Sequence, residues 1–266
     1  MNCKIMIILA CALLACGRPE EVATTVQSEK VSDAPELESP VPGSIPCGDI
    51  PFFQPGTEII SKDFNKTGQE TSAQTIRVLN VRQENGFSVA EVEGTGRSLP
   101  TGAETQVKFS YRCDGNNLYF DMASMYRTQA KAKDSTFQSE EFILPLQLKV
   151  GENLPDIVST VRSEQGGKPR SMTITLSNRK VTAQESVTTE AGTWDAFKIT
   201  NDLKIDMELP GMDANMKEMI AKMQAETKLS SITWFAPAIG IVKSETYKNG
   251  ELESGNRIVG IRNLRH

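Results

Sequence analysis

Four methionines lie at helical spacing in one short, otherwise polar segment near the end of the chain. The segment reads GMDANMKEMIAKMQAET over residues 211–227 and contains Met212, Met216, Met219 and Met223. On a helix these side chains fall within an arc of about 60°, so the spacing predicts a short amphipathic helix over 212–224. Three roles fit the stripe: a thioether site for copper(I), a cover over a ligand cavity, or packing against a sheet.

Histidine chemistry has almost no candidate in this chain. The only histidine is the terminal residue His266, where chain ends are seldom held in place. The sequence also lacks a G-x-S-x-G elbow, a P-loop and a glycine-rich dinucleotide motif. Carboxylates such as Asp195, Asp202 and Asp206 leave a carbohydrate hydrolase as the enzymatic alternative. We therefore expect a protein without catalytic residues, cofactor or metal, with copper(I) handling by the methionines as the first alternative and the hydrolase as the second.

Two tryptophans are further candidates for ligand contact. Trp194 lies in EAGTWDAFKIT (190–200) and Trp234 in WFAPAIGIVKSE (234–245). Large apolar side chains in strand-like segments serve equally well in a core or in the lining of a cavity. Both roles stay open, and the two tryptophans join the four methionines as candidate ligand-lining residues.

The N-terminus has the features of an export signal. Lys4 precedes an apolar run from Ile5 to Ala15, which is shorter than the roughly 20 residues of a membrane-spanning helix. The run ends in LLAC (13–16), which resembles the lipobox of bacterial lipoproteins and implies cleavage before Cys16 and lipidation of its thiol. Residues 1–15 are then a signal peptide. We expect a lipid-anchored location in the bacterial cell envelope, at the outer membrane, on its periplasmic face or at the cell surface.

Residues 16–46 are predicted to form a tether, because they are rich in Pro, Glu, Ser and Thr and contain no aromatic residue. After removal of the signal and lipidation with palmitate-type chains, only Cys47 and Cys113 of the five cysteines keep free thiols. An oxidising compartment favours one disulfide between them. The formal net charge of −5 argues against a nucleic-acid partner. The expected partners are the membrane, a lipid-like ligand or an envelope protein.

From residue 52 onward the chain alternates apolar and polar residues in short runs separated by turns. Asn85-Gly86 and Asp114-Gly115 are typical two-residue hairpin turns. Roughly ten such runs and one credible helix predict a mainly β domain over 47–266. Its expected architecture is a single curved antiparallel sheet or half-barrel.

Several motifs occur together in an order that resembles a known group. They are CDGNNLYFDM (113–122), LPLQLKVGENLPD (144–156), TTEAGTWDAFKIT (188–200) and WFAPAIGIVKSE (234–245). In this order they resemble the TapB-like bacterial lipoproteins. The resemblance implies a curved antiparallel sheet, distantly like that of the periplasmic lipoprotein carriers, and implies no catalytic residue. We therefore expect an envelope lipoprotein that binds a hydrophobic ligand or a protein partner in the concavity of its sheet.

Overall fold

The computed structural model of the chain describes residues 45–120, 137–139, 141–165, 168–208, 215, 218–220, 222 and 226–263. Over these residues the polypeptide forms thirteen strands in one antiparallel sheet, preceded by two 3-10 helices, Cys47–Asp49 and Pro51–Phe53. The strands are β1 (Thr57–Asn65), β2 (Glu70–Glu84), β3 (Phe87–Ser98), β4 (Glu104–Cys113), β5 (Asn117–Phe120), β6 (Phe137–Ser139), β7 (Phe142–Pro145), β8 (Ile157–Gln165), β9 (Lys168–Thr189), β10 (Gly192–Glu208), β11 (Leu229–Ala236), β12 (Gly240–Lys248) and β13 (Glu251–Asn263).

Tight turns with left-handed backbone connect neighbouring strands. Asn85 and Gly86, with φ of 51° and 83°, join β2 to β3, as the Asn-Gly pair predicts. Asn249 and Gly250 repeat this geometry, with φ of 53° and 83°, between β12 and β13. Because these two-residue turns match the twist of the strands, they also set the pairing of each hairpin.

The sheet rolls until its two edges come close together. Its strand order is β6-β8-β9-β10-β11-β12-β13-β1-β2-β3-β4-β5-β7, so β6 and β7 are the edge strands. The chain nevertheless passes directly from Ser139 at the end of β6 to Phe142 at the start of β7. Three residue steps span at most about 11 Å, so the edges nearly meet. The predicted fold class, a mainly β chain with one curved antiparallel sheet, is confirmed, although the number of strands is thirteen and not about ten.

The hydrophobic core is built around the buried ring of Tyr111 in β4. Tyr111 makes edge-to-face contacts with Phe52, Phe109 and Phe120 at centroid distances of 4.9, 5.2 and 5.0 Å. Phe52 belongs to the second 3-10 helix, so this helix packs its aromatic side chain into the sheet. Burial raises the pKa of the Tyr111 hydroxyl well above its usual value.

The predicted disulfide between Cys47 and Cys113 is present, with a Cα–Cα distance of 5.9 Å. It ties the first 3-10 helix to the end of β4. Near Phe52, Gly240 has a φ of 106°, and a Cβ atom there would lie 2.6 Å from the Phe52 ring. The 3-10 segment is therefore held by a covalent bond and by close packing against the start of β12.

The predicted helix over 212–224 falls mostly outside the described residues. Its described residues, Asn215, residues 218–220 and Lys222, are helical, and so is Glu226 just beyond it. No helix within the described part of the chain is long and apolar enough to cross a membrane. The signal peptide, Cys16, nearly all of the predicted tether and His266 also lie outside the described residues.

Candidate functional site

Four cations and one tryptophan stand in a row across five neighbouring strands. Each member pairs directly with the next in the antiparallel register from β10 to β1. Side chains at directly paired positions project from the same face of a sheet, with Cβ atoms about 4.5–5.5 Å apart. In sheet order the row is Lys198, Trp234, Lys243, Arg257 and Lys62. The four charged residues are called the cation row below.

A row of like charges destabilises a sheet unless acidic side chains compensate it. Each member of the cation row is only about one-third exposed and lies near one glutamate. The separations between nitrogen and oxygen are 2.7 Å for Lys62 and Glu70, 2.7 Å for Lys243 and Glu245, 2.7 Å for Arg257 and Glu190, and 4.0 Å for Lys198 and Glu185.

Two of these glutamates reach the row from the tip of the β9–β10 hairpin, residues 185–195. The Trp234 indole Nε1 donates a hydrogen bond to Glu185 of β9 at 2.5 Å. Arg257 of β13 donates to Glu190 in the turn through Nε at 2.8 Å and Nη2 at 2.7 Å. Because β9 and β13 lie four strands apart in the sheet order, the hairpin tip must fold over the face that carries the cation row.

Trp234 is the aromatic support of this face. Its side chain is only 6% exposed, and the Lys243 and Lys198 ammonium nitrogens lie 4.4 and 5.4 Å from its ring centroid. A cation at such a distance is attracted to the negative face of the indole. The ring is therefore largely covered, and it holds the two lysines in position.

A groove with a volume of about 570 Å³ lies between the hairpin tip and the sheet. It is lined by residues 185–190 of the hairpin and by Trp234, Lys243 and Arg257 of the face. This volume falls within the range of roughly 300–1,000 Å³ typical of small-molecule pockets. Charged groups of both signs and an aromatic edge border it, so the groove suits a ligand with a charged group.

Glu190, which lines the groove, and Glu245, which pairs with Lys243 of the cation row, are poorly suited to act as general acids. Hydrogen bonds from Arg257 lower the pKa of Glu190. Partial burial raises the pKa of Glu245, but hydrogen bonds from Lys243 and Tyr247 outweigh this effect and lower it. A glycosidase acid needs the opposite, a pKa raised toward neutrality. These two glutamates therefore remain ionised and act as acceptors.

The three aspartates of the hydrolase alternative are engaged separately along β10. Asp195 accepts from Gln184 at 2.8 Å, Asp202 accepts from Asn178 at 2.8 Å, and Asp206 pairs with Lys204 at 2.9 Å. Within the described residues, no cluster of three or more His, Cys, Asp or Glu side chains could hold a metal ion. The three predicted aspartates therefore do not come together as a catalytic centre.

The sequence-predicted ligand-lining residues are distributed unevenly around this groove. Trp234 lines it, whereas Trp194 is half-buried on β10 and is not among the described lining residues. Met219 is helical and 61% exposed. Met212, Met216 and Met223 lie outside the described residues, so their roles and the copper(I) alternative stay predictions.

Sequence reasoning missed the cation row and its glutamates. Each of the four cations is an ordinary charged residue in a strand where polar and apolar side chains alternate. Such alternation is also typical of a sheet with one solvent-exposed face. Only the register shows that they stand side by side, and bulges at Trp234/Phe235 and Ile60/Ser61 help to set that register. The one sequence signal was the recurrence of Lys or Arg in strands flanking the Trp234 strand.

Comparison with known families gives one match over most of the chain. A family model described as DUF3108-like matches residues 54–258. This family name differs from the TapB-like group suggested by the motifs, so the TapB-like assignment stays a prediction. No curated protein matches the chain.

Two solved structures share the fold. A predicted exported protein of Bacteroides fragilis with a YmcC-like fold is 21% identical, with a TM-score of 0.58 over 79% of this chain and 96% of that one. A predicted lipoprotein of Parabacteroides distasonis is 17% identical, with a TM-score of 0.57 over 79% of this chain and 98% of that one. At these identities the likeness establishes the fold.

Proposed function

The chain belongs to the DUF3108-like family, and from this premise we propose that it is a lipid-anchored, non-enzymatic binding protein of the bacterial cell envelope. Its ligand site is the groove beneath the β9–β10 hairpin tip. The observation that carries the proposal is this groove of about 570 Å³, bordered by Trp234, Lys243 and Arg257.

The envelope location is supported by the N-terminus and by the two structural neighbours. The LLAC run ending at Cys16 is typical of lipoproteins, and the neighbours are described as exported and as a lipoprotein. Two or more acyl chains on Cys16 anchor a protein firmly. The tether over residues 16–46 then holds the groove away from the membrane surface. This arrangement is compatible with the outer-membrane location and with the TapB-like assignment that were predicted from the sequence.

The nature of the groove revises the expected ligand. A hydrophobic ligand or an envelope protein partner was predicted for the concavity of the sheet, but the groove is bordered by Lys243 and Arg257 of the sheet and by Glu185 and Glu190 of the hairpin tip. An apolar molecule there would desolvate these charges without replacing their hydrogen bonds. We therefore assign to the groove a ligand, or the head group of a larger molecule, that carries charge.

The lowered pKa values of two carboxylates that pair with the cation row favour binding over catalysis. Glu190 and Glu245 have lowered pKa values, so both side chains are acceptors at neutral pH. The cations of the row are held by aromatic rings and carboxylates in fixed positions. Such a preorganised face lowers the entropic cost of binding a charged group.

The two tryptophans allow a direct test of the groove. A Trp194→Phe variant keeps Trp234 as its single fluorophore inside the groove, and a Trp234→Phe variant keeps Trp194 outside it. The mature lipidated chain, purified in an uncharged maltoside detergent, is titrated with lipid and water-soluble fractions of the bacterial envelope. We expect at least one fraction to change the Trp234 emission strongly and the Trp194 emission less, because Trp194 lies on the hairpin tip but does not line the groove. Equal responses from both variants, or none from either, would contradict the proposed site.

A further inference from the structure

We propose that the cation row is a phosphate-binding site and that Glu190 occupies it in this structure as an internal substitute for the ligand. This inference rests on the proposed function and names the chemical class of the ligand. A phosphate group enters the groove, replaces the Glu190 carboxylate on Arg257 and releases the hairpin tip.

The register places Arg257 between two other cations, one on each neighbouring strand. Lys243 of β12 and Lys62 of β1 are both paired directly with Arg257 of β13. A carboxylate offers two oxygens, and those of Glu190 are both used on Nε and Nη2 of Arg257. A phosphate offers more acceptor oxygens, so it matches the guanidinium fork and can also reach the neighbouring ammonium.

Aromatic rings hold these cations without using their hydrogen-bond donors. The Arg257 guanidinium lies 3.9 Å from the ring centroid of the buried Phe64. The Lys243 ammonium lies 4.4 Å from the ring centroid of Trp234. An ammonium has three donors and a guanidinium has five, so positioning by π faces leaves donors for an incoming anion.

Glu190 and Glu245 differ in their exposure and in the number of groups that hold them at the cation row. Glu245 is on the same strand as Lys243, is only 17% exposed and also accepts a hydrogen bond from Tyr247. Glu190 comes from a turn four strands away and is 51% exposed, and its partner Arg257 is 37% exposed. Because exposed ion pairs contribute little net stability, a ligand displaces Glu190 more easily than it displaces Glu245.

The proposal predicts opposite effects for the two partners of one ion pair. The mature lipidated chain in maltoside detergent, in the Trp194→Phe background, is titrated with three phosphate probes: inorganic phosphate, glycerol phosphate and a short-chain phosphatidylglycerol. We expect Arg257→Gln to weaken binding about tenfold or more, the factor given by loss of about 1.4 kcal/mol. We expect Glu190→Gln to strengthen binding several-fold, because it removes the competing carboxylate.

A remote ion pair supplies the matched control. Arg82 pairs with Glu91 on β2 and β3, and both side chains are about half exposed. Arg82→Gln and Glu91→Gln remove the same charges as the test variants and should leave the affinity unchanged. Thermal unfolding of every variant verifies that the fold is retained.

The outcomes separate this inference from the proposed function. Tighter binding by Glu190→Gln and weaker binding by Arg257→Gln support it, and the probe that binds best identifies a lipid head group or a soluble phosphate as the source. Equal weakening by both variants would make Glu190 a ligand contact and overturn the inference. If envelope fractions change the Trp234 emission but no phosphate probe does, the phosphate class is wrong and the binding site stands. If neither does, both fail.

Discussion

Glu190 and Arg257 form a two-point ion pair between parts of the sheet that lie four strands apart. Nε and Nη2 of Arg257 donate to the two carboxylate oxygens at 2.8 and 2.7 Å. Because Glu190 lies in the turn between β9 and β10, three to four strand spacings would separate it from Arg257 in a flat sheet, or about 14–19 Å. The contact therefore requires strong curvature of the sheet in this region. The ion pair also holds the hairpin tip over the groove.

Removal of the Glu190–Arg257 ion pair should lower the free energy of unfolding only slightly at neutral pH, and by less in acid. Arg257 is about one-third exposed and Glu190 about half exposed, so solvent screens the pair and Glu190→Gln should lower the free energy of unfolding by at most about 1 kcal/mol. Hydrogen bonds from Arg257 lower the pKa of folded Glu190, so its contribution is present above the unfolded value of roughly 4.3 and is lost as the pH falls through the folded value.

Urea unfolding of the native chain and of Glu190→Gln at several pH values measures this difference. The two curves should separate slightly near neutrality and converge in acid. A gap that widens as the pH falls would contradict the assigned ion pair.

The Cys47–Cys113 disulfide should make a larger contribution. It closes a loop with a sequence separation of 66 residues. In the chain-entropy model such a loop contributes about 4 kcal/mol by restricting the unfolded chain. We expect the double variant Cys47→Ala, Cys113→Ala to lose stability of this order in urea unfolding. A reductant should destabilise the native chain and leave the double variant unchanged; the same response from both would show that the bond is not the source.

Gly240 is needed for close packing as well as for backbone freedom. A Cβ atom at this position would lie 2.6 Å from the Phe52 ring, and φ is 106°. Gly250 also has a positive φ, 83°, but no atom lies within 4 Å of its Cβ position. Both Ala variants share the cost of a left-handed backbone, and only Gly240→Ala adds overpacking, typically about 1–3 kcal/mol.

Gly240→Ala should therefore lower the thermal midpoint more than Gly250→Ala does. Equal losses for the two variants would mean that Phe52 moves aside without cost.

The sequence predicts those parts of the fold that depend on neighbouring residues, namely strands and tight turns. Alternating runs and the Asn85-Gly86 turn predicted strands and a hairpin that the structure contains. Asn249-Gly250 carries the same signal and forms the same kind of turn. The short edge strand β6 was not predicted, because three residues carry too little periodicity.

The candidate site was not readable because it depends on register. Lys198, Lys243 and Arg257 are separated widely along the chain and meet only when their strands pair in one register. A shift by one residue would turn each of them to the other face. The bulge at Trp234/Phe235 contributes to this register, and no residue in that stretch signals a bulge. Trp234 itself was identified, but its cover of lysines was not.

Tyr247 should lose its stabilising role in alkali. Burial, together with the hydrogen bond that its hydroxyl donates to Glu245, raises the pKa of Tyr247 to about 12. A group with a raised folded pKa contributes stability that is fully present below its unfolded value of about 10 and is lost as the pH rises through the folded value. The stability difference between the native chain and Tyr247→Phe should therefore shrink between about pH 10 and 12. Urea unfolding across this range measures it, with the tyrosinate absorbance of both proteins recorded in parallel. A difference that stays constant over the whole range would mean that the hydroxyl titrates alike in the folded and unfolded chains, and that Glu245 is held on the face by Lys243 alone.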